Sequence, residues 1–213
     1  MHEAKEINRI AAFSDGVFAI ACTLLVLELA VPHLDDITRP GALWPELKKL
    51  WPSFLAYFLS FVSIFIAWAG HHRALNLMER SSKPFLYANG LLLLTITFMP
   101  FPTALLAEYI DTPQANIAVV FYSSAWLITN LSFIVWWACM FRPTRLLSPA
   151  ISRDGISLVN RQMFAGTVLY LLTTILAYWY PVVAFVLIFV TQILWVVVSF
   201  GQDQFETVSK HAS

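Results

Sequence analysis

Charge is what this sequence has least of. Asp, Glu, Lys and Arg make up 12% of its 213 residues, and hydrophobic side chains make up 59%. A water-soluble domain carries about 25% charged residues. The composition excludes such a domain and points to an all-α chain that crosses a bilayer repeatedly. Net charge is missing as well: 13 basic and 13 acidic residues cancel. Without a basic field there is no electrostatic footprint for nucleic acid. Only two cysteines occur, Cys22 and Cys139, both in apolar runs and without metal-ligand spacing. Neither a disulfide nor a metal site is expected of them. The chain contains no H-E-x-x-H, no G-x-S-x-G and no glycine-rich phosphate loop, so neither enzyme activity nor a cofactor is expected. The T-V-G-Y-G carbonyl filter and an arginine-rich sensor helix are absent too. A channel made from such a chain must constrict its path with side chains.

What the chain does have is long apolar runs. Six are read as spans, at about residues 10–31, 50–70, 85–106, 115–140, 157–179 and 182–200, within a single unit covering 1–213. A helix rises roughly 1.5 Å per residue, so about 20 residues cross the hydrocarbon core. Pro32 is expected to stop the first span, and Pro100 and Pro102 to kink or shorten the third. The first run is too long for a signal-peptide core and lacks a convincing cleavage site, so it is read as a retained span.

Basic residues set the orientation. Lys5, Arg9, Arg73, Arg80, Lys83, Arg142, Arg145, Arg153, Arg161 and Lys210 fall on one side of a six-span arrangement. The other side has Arg39, Lys48 and Lys49 in one loop, with Asp35, Asp36, Glu46, Glu108 and Asp111. Both termini are therefore expected in the cytoplasm, with the chain a multi-pass protein of the cell membrane and the lipid bilayer its surroundings.

The first span opens unusually, with Arg9, Ser14 and Asp15 ahead of its apolar run. A carboxylate at that depth is costly and normally faces protein or water. On a wheel of about 100° per residue, Gly16, Ile20, Thr23 and Leu27 share a stripe with Val31 at its edge, and Asp15 points away. The stripe fits either close helix packing through small residues or the wall of a path built from several copies. His71 and His72 end the second span on the side where the first begins. His72 and Asn76 share a face one turn apart, which suits a structural polar cluster around Asp15. Arg9 lies at the mouth of a path or swings towards Asp15 or lipid headgroups. Adjacent histidines point about 100° apart, which makes a His71–His72 metal site weak. Asn89 and Gly90 either pack near this cluster or permit close helix contact, and the second reading is preferred.

The wording of the opening is specific. Arg9-x-x-x-Phe13-Ser14-Asp15, then Ile20 five positions after the Asp and Thr23 three further on, resembles the first-helix signature of the transmembrane protein 175 family of potassium channels. Two-repeat members exist in animals; this chain carries the signature once and is similar to the short prokaryotic form. The resemblance implies a homotetramer whose first helices line a central pore, with potassium as the permeant ion. It implies that Ile20 forms the constriction and Thr23 contributes to selectivity, with Leu24 and Leu27 in the same path. It also implies that Arg9, Phe13, Ser14 and Asp15 belong to a structural network with His72 and Asn76. The alternative class is a proton-linked or cation carrier using Asp15 and His72. A carrier is expected to show an internal repeat and broken helices; no half-to-half repeat is visible, although Pro100 and Pro102 supply a break.

Overall fold

The structure, a computed structural model, describes residues 2–32, 39, 41–141, 146 and 153–195. Its elements are α1 (His2–Leu24), α2 (Leu43–Lys49), α3 (Trp51–Asn76), α4 (Lys83–Phe98), α5 (Pro100–Tyr109), α6 (Ala115–Phe141), α7 (Arg153–Ala177) and α8 (Pro181–Trp195). Among the described residues, five stretches are long and apolar enough to cross a membrane: Lys5–Glu28, Trp51–Asn76, Lys83–Tyr109, Ala115–Met140 and Gly155–Trp179. The shorter apolar α8 runs to the last described residue. Asp35, Asp36, Arg142, Arg145, Lys210 and residues 196–200, used above for orientation and the sixth span, lie outside the described residues.

Prolines explain where the helices stop. A proline clashes with the carbonyl four residues back and offers it no N–H. For Pro32 that carbonyl belongs to Glu28, where the helical path ends: α1 passes after Leu24 into a 3₁₀ turn at Leu25–Glu28, and Leu29 is extended. The first helix is thus shorter at this end than residue 31, and longer at the other, since it begins at His2. Pro100 and Pro102 deprive Ile96 and Phe98 in the same way. Ile96 accepts instead from Met99 N–H at 3.1 Å, and Thr103 N–H reaches Met99 O at 3.2 Å. Met99 keeps helical angles (φ −59°, ψ −31°), so the third span is interrupted and continues as α5. Ser82 starts α4 by accepting Phe85 N–H at 3.3 Å, with Pro84 in the first turn; this is the usual division of labour at a helix start. The short helix α2 covers part of what reads in the sequence as a polar connection.

α1 packs against α3 and α4. Its buried residues are Ile7, Ile10, Ser14, Phe18, Ala21 and Leu25, spaced three or four apart along one face. α6 packs against α4 and α5 on one side and α7 on the other. α7 turns into α8 at Tyr178–Tyr180, and Gln192 donates to Tyr170 Oη at 3.4 Å across that hairpin. Apolar contacts between helices gain little over contacts with lipid tails, so close packing and buried hydrogen bonds must fix such a bundle. One hydroxyl chain does so at mid-span. Ser60 Oγ lies 3.0 Å from Tyr122 Oη and 2.7 Å from Thr103 Oγ1, joining α3, α5 and α6.

Candidate functional site

α1 has two different faces. Its inner face carries polar groups that bind neighbouring helices. Ser14, fully buried, accepts a hydrogen bond from Asn89 Nδ2 of α4 at 3.0 Å. Asn89 Oδ1 accepts from His71 Nε2 of α3 at 2.8 Å and from Trp136 Nε1 of α6 at 3.0 Å. One amide therefore ties four helices together. His71 must carry its proton on Nε2 to donate, which leaves Nδ1 without a partner among the described residues. The imidazole stacks on Trp136 at 4.6 Å and meets the tilted ring of Phe18 at 5.3 Å between centroids.

Beside this buried cluster lies a second, half-exposed one. Asp15 Oδ1 accepts from Trp68 Nε1 at 2.8 Å and sits 3.8 Å from His72 Nδ1. The His72 ring lies 5.4 Å from that of Trp68. The two adjacent histidines diverge on α3, so each serves a different cluster. Among the described residues no three His, Cys, Asp or Glu side chains converge on a metal-sized space.

Several placements differ from the sequence expectation. Trp68, not Asn76, is the direct partner of Asp15. Asn76 is exposed, and its side chain makes no hydrogen bond among the described residues. Arg9 is exposed and lines a groove between α1 and α4 with Glu6, Phe13 and Gly90, rather than pairing with Asp15. Phe13 is 66% exposed and stands outside both clusters. Asn89, for which close helix contact is preferred from sequence over a place near the polar network, is the centre of the buried cluster, and His71 joins it while His72 does not. Asn89 had a sequence signal, a lone amide in the run FLYANGLLLL; a buried amide in lipid needs partners. Trp68 had a weaker one, being one turn before His72 on the same face.

Among the described residues, the outer face of α1 meets no other part of the chain. Ile20 is 57% exposed and Leu27 74%. Leu24 and Thr23 are exposed too, and a Cβ placed on Gly16 would meet no atom within 4 Å. Thr23 Oγ1 donates to Ile20 O at 2.9 Å. Its hydrogen is thus engaged within the helix, and the oxygen lone pairs are left outward. The 3₁₀ turn from Leu25 takes Leu27 off the ideal wheel, and Val31 lies beyond the helix.

Residues 9–100 match the family described as endosomal/lysosomal potassium channel TMEM175. A potassium channel of Chamaesiphon minutus is 44% identical over 176 residues, 83% of this chain and 86% of that protein. A potassium channel of Streptomyces collinus is 37% identical over 81% of this chain and 83% of its own. The crystal structure of a lysosomal potassium-selective channel TMEM175 homolog from Chamaesiphon minutus superposes with a TM-score of 0.82 at 40% identity, covering 92% of this chain and 98% of that one. With such likeness along most of its length, the chain belongs to the TMEM175 family of membrane channels.

Proposed function

We propose that this chain is one subunit of a passive, potassium-selective channel in which α1 lines the pore. The observation that carries the reading is the division of α1 into two faces. Ser14 and Asp15 are bonded to α3 and α4, while Ile20, Thr23, Leu24 and Leu27 face away from the subunit. A lipid-facing helix needs the second feature but not the first. An anchored helix that keeps its other face in one orientation suits a wall that must hold its geometry.

One copy of α1 cannot enclose a path, so several must close around an axis, and closed rings repeat one good contact. Four copies, each a six-span subunit with cytoplasmic termini in the cell membrane, is the arrangement we adopt; the count is what the first-helix signature implies, and the orientation follows the basic residues. Ile20 then forms an apolar ring. Such a ring resists ions because their water must be stripped or squeezed. Thr23 lies about one helical turn beyond, at about 1.5 Å per residue, and its outward lone pairs supply an oxygen ring for a cation that has lost part of its shell. Leu24 and Leu27 continue the apolar path. Asp15, on the inner side, supports α1 and does not meet the ion.

The test is reversal potential under bi-ionic potassium and sodium in planar bilayers. Ile20→Ala widens the ring, so cation flux rises and potassium discrimination falls. Thr23→Val keeps the size and removes the oxygen, so conduction persists with weaker discrimination. If Ile20→Ala leaves both flux and reversal potential unchanged, α1 does not line the path. Saturable flux at carrier rates favours instead a transporter built on Asp15 and His72.

A further inference from the structure

Away from α1, a cavity of about 240 Å³ lies among α3, α6, α7 and α8. α3 and α7 flank it without packing closely on each other among the described residues. The space is long, since Ser63 and Arg73 of α3 both line it. At about 1.5 Å per residue they stand about 15 Å apart along the helix. That is about half of the roughly 30 Å hydrocarbon core, the depth of one leaflet. Several polar groups in the wall are already answered by the chain. Ser63 Oγ donates to Leu59 O at 2.7 Å, Thr129 Oγ1 to Ala125 O at 2.9 Å and Asn130 Nδ2 to Thr167 Oγ1 at 2.7 Å. The indole N–H groups of Trp136 and Trp137 go to Asn89 at 3.0 Å and Asn160 at 2.9 Å. What the wall offers the space is therefore mostly ring and aliphatic carbon. Gly70 also lines it, is exposed, and a Cβ there would meet no atom within 4 Å, so the slot is open beside it.

Towards the end of α3 that the basic residues assign to the cytoplasm, the wall changes character. Arg73 of α3 and Gln162 of α7 both line it there, and both are half-buried. Arg73 already has an interaction within the chain, and the five N–H donors of a guanidinium serve more than one acceptor. Arginine suits phosphate in particular, because its planar fork matches two phosphate oxygens. Basic pockets between spanning helices on the cytoplasmic side take lipid headgroups. We propose that this slot holds one acyl chain of a phospholipid from the cytoplasmic leaflet, with the lipid phosphate at Arg73 and Gln162. The chain then runs from Arg73 to Ser63, a path one leaflet deep whose polar groups ask for no partner. The site is separate from the exposed face of α1 and does not depend on which ion passes there.

The experiment is native mass spectrometry of the purified full-length protein, delipidated in detergent and titrated with lipid. The probes are dioleoyl phosphatidylglycerol and dioleoylglycerol, which has the same chains and no phosphate. Saturable retention of the phospholipid at one per chain, several-fold tighter than the diacylglycerol, is expected. Arg73→Gln removes the charge and weakens the phospholipid about fivefold, leaving the diacylglycerol unchanged. Gly70→Trp obstructs the slot and removes tight retention of both lipids. Uptake without a plateau in the parent protein, or uptake unaffected by Gly70→Trp, means lipid held only around the outside of the bundle and overturns the site. Equal retention of the two lipids by the parent protein overturns the role of the phosphate, and does so even if Arg73→Gln fails to fold.

Discussion

Replacing Asn89 by Leu tests the anchoring of α1 most directly. The two side chains have similar size, so packing changes little and the hydrogen bonds are what is lost. Three contacts go at once: Asn89 Nδ2 to Ser14 at 3.0 Å, and Oδ1 from His71 at 2.8 Å and Trp136 at 3.0 Å. Ser14 can turn its hydroxyl towards a carbonyl of its own helix. The two N–H donors have no such escape. A buried donor left unpaired costs about 1–3 kcal/mol, which sets an upper range of roughly 2–6 kcal/mol for the pair. Membrane helices recover part of this because the unfolded state in lipid also finds partners, with measured bonds averaging about 0.6 kcal/mol. A loss of about 2–4 kcal/mol follows from weighing the two. Unfolding of the purified protein in mixed micelles with rising SDS measures it. Ser14→Ala alone loses one bond and is expected to cost about 1 kcal/mol. Added to Asn89→Leu it should cost almost nothing, since its partner has already gone. An Asn89→Leu variant as stable as the parent, or strict additivity of the two changes, refutes the cluster as the anchor.

Three further outcomes follow from other contacts. Asp15→Asn keeps an oxygen for Trp68 Nε1 and is expected to melt near the parent, whereas Asp15→Ala loses about 1 kcal/mol; a shifted potassium-to-sodium ratio with unchanged stability would put Asp15 in the ion path. Gly166→Ala places a Cβ 3.1 Å from both Asn130 Oδ1 and Trp195 Cζ2, so it is expected to loosen the packing of α6, α7 and α8 at a cost of about 1–3 kcal/mol, and an unchanged melting temperature contradicts that. A cysteine introduced as Ser213→Cys, in a background lacking Cys22 and Cys139, is expected to resist an impermeant maleimide added to intact cells; efficient labelling places the C-terminus outside and ends the six-span arrangement.

Much of the membrane architecture was legible in the sequence because lipid imposes one dominant rule. A backbone in hydrocarbon must satisfy itself within a helix, so apolar runs of sufficient length report their own secondary structure. The break at Pro100 and Pro102 was legible for the same reason, since the missing N–H is local. The end of the first helical stretch, the 3₁₀ turn closing at Glu28, was placed three residues late because the effect of Pro32 falls on Glu28, four residues back, not on its neighbour. The outward stripe of Gly16, Ile20 and Thr23 also followed from helical period alone.

The polar clusters were only half legible. Sequence period placed Asp15 and the histidines at one end of the bundle, yet it could not say which histidine meets which helix. His71 and His72 differ by about 100° on α3, and the choice between them depends on how α3 rotates against α1 and α4. That rotation is set by packing of Phe18, Phe85 and Trp136, all nearly or fully buried, from three different helices. The same rotation brings Trp68 to Asp15 and turns Asn76 away. The sequence by itself determined that the chain is built of long apolar helices, and which face of α1 could be polar, because both depend on one chain segment and its solvent. Only the tertiary structure decided the partners of Ser14, Asp15 and Asn89, because a hydrogen bond between helices requires relative rotation and depth that no single segment encodes.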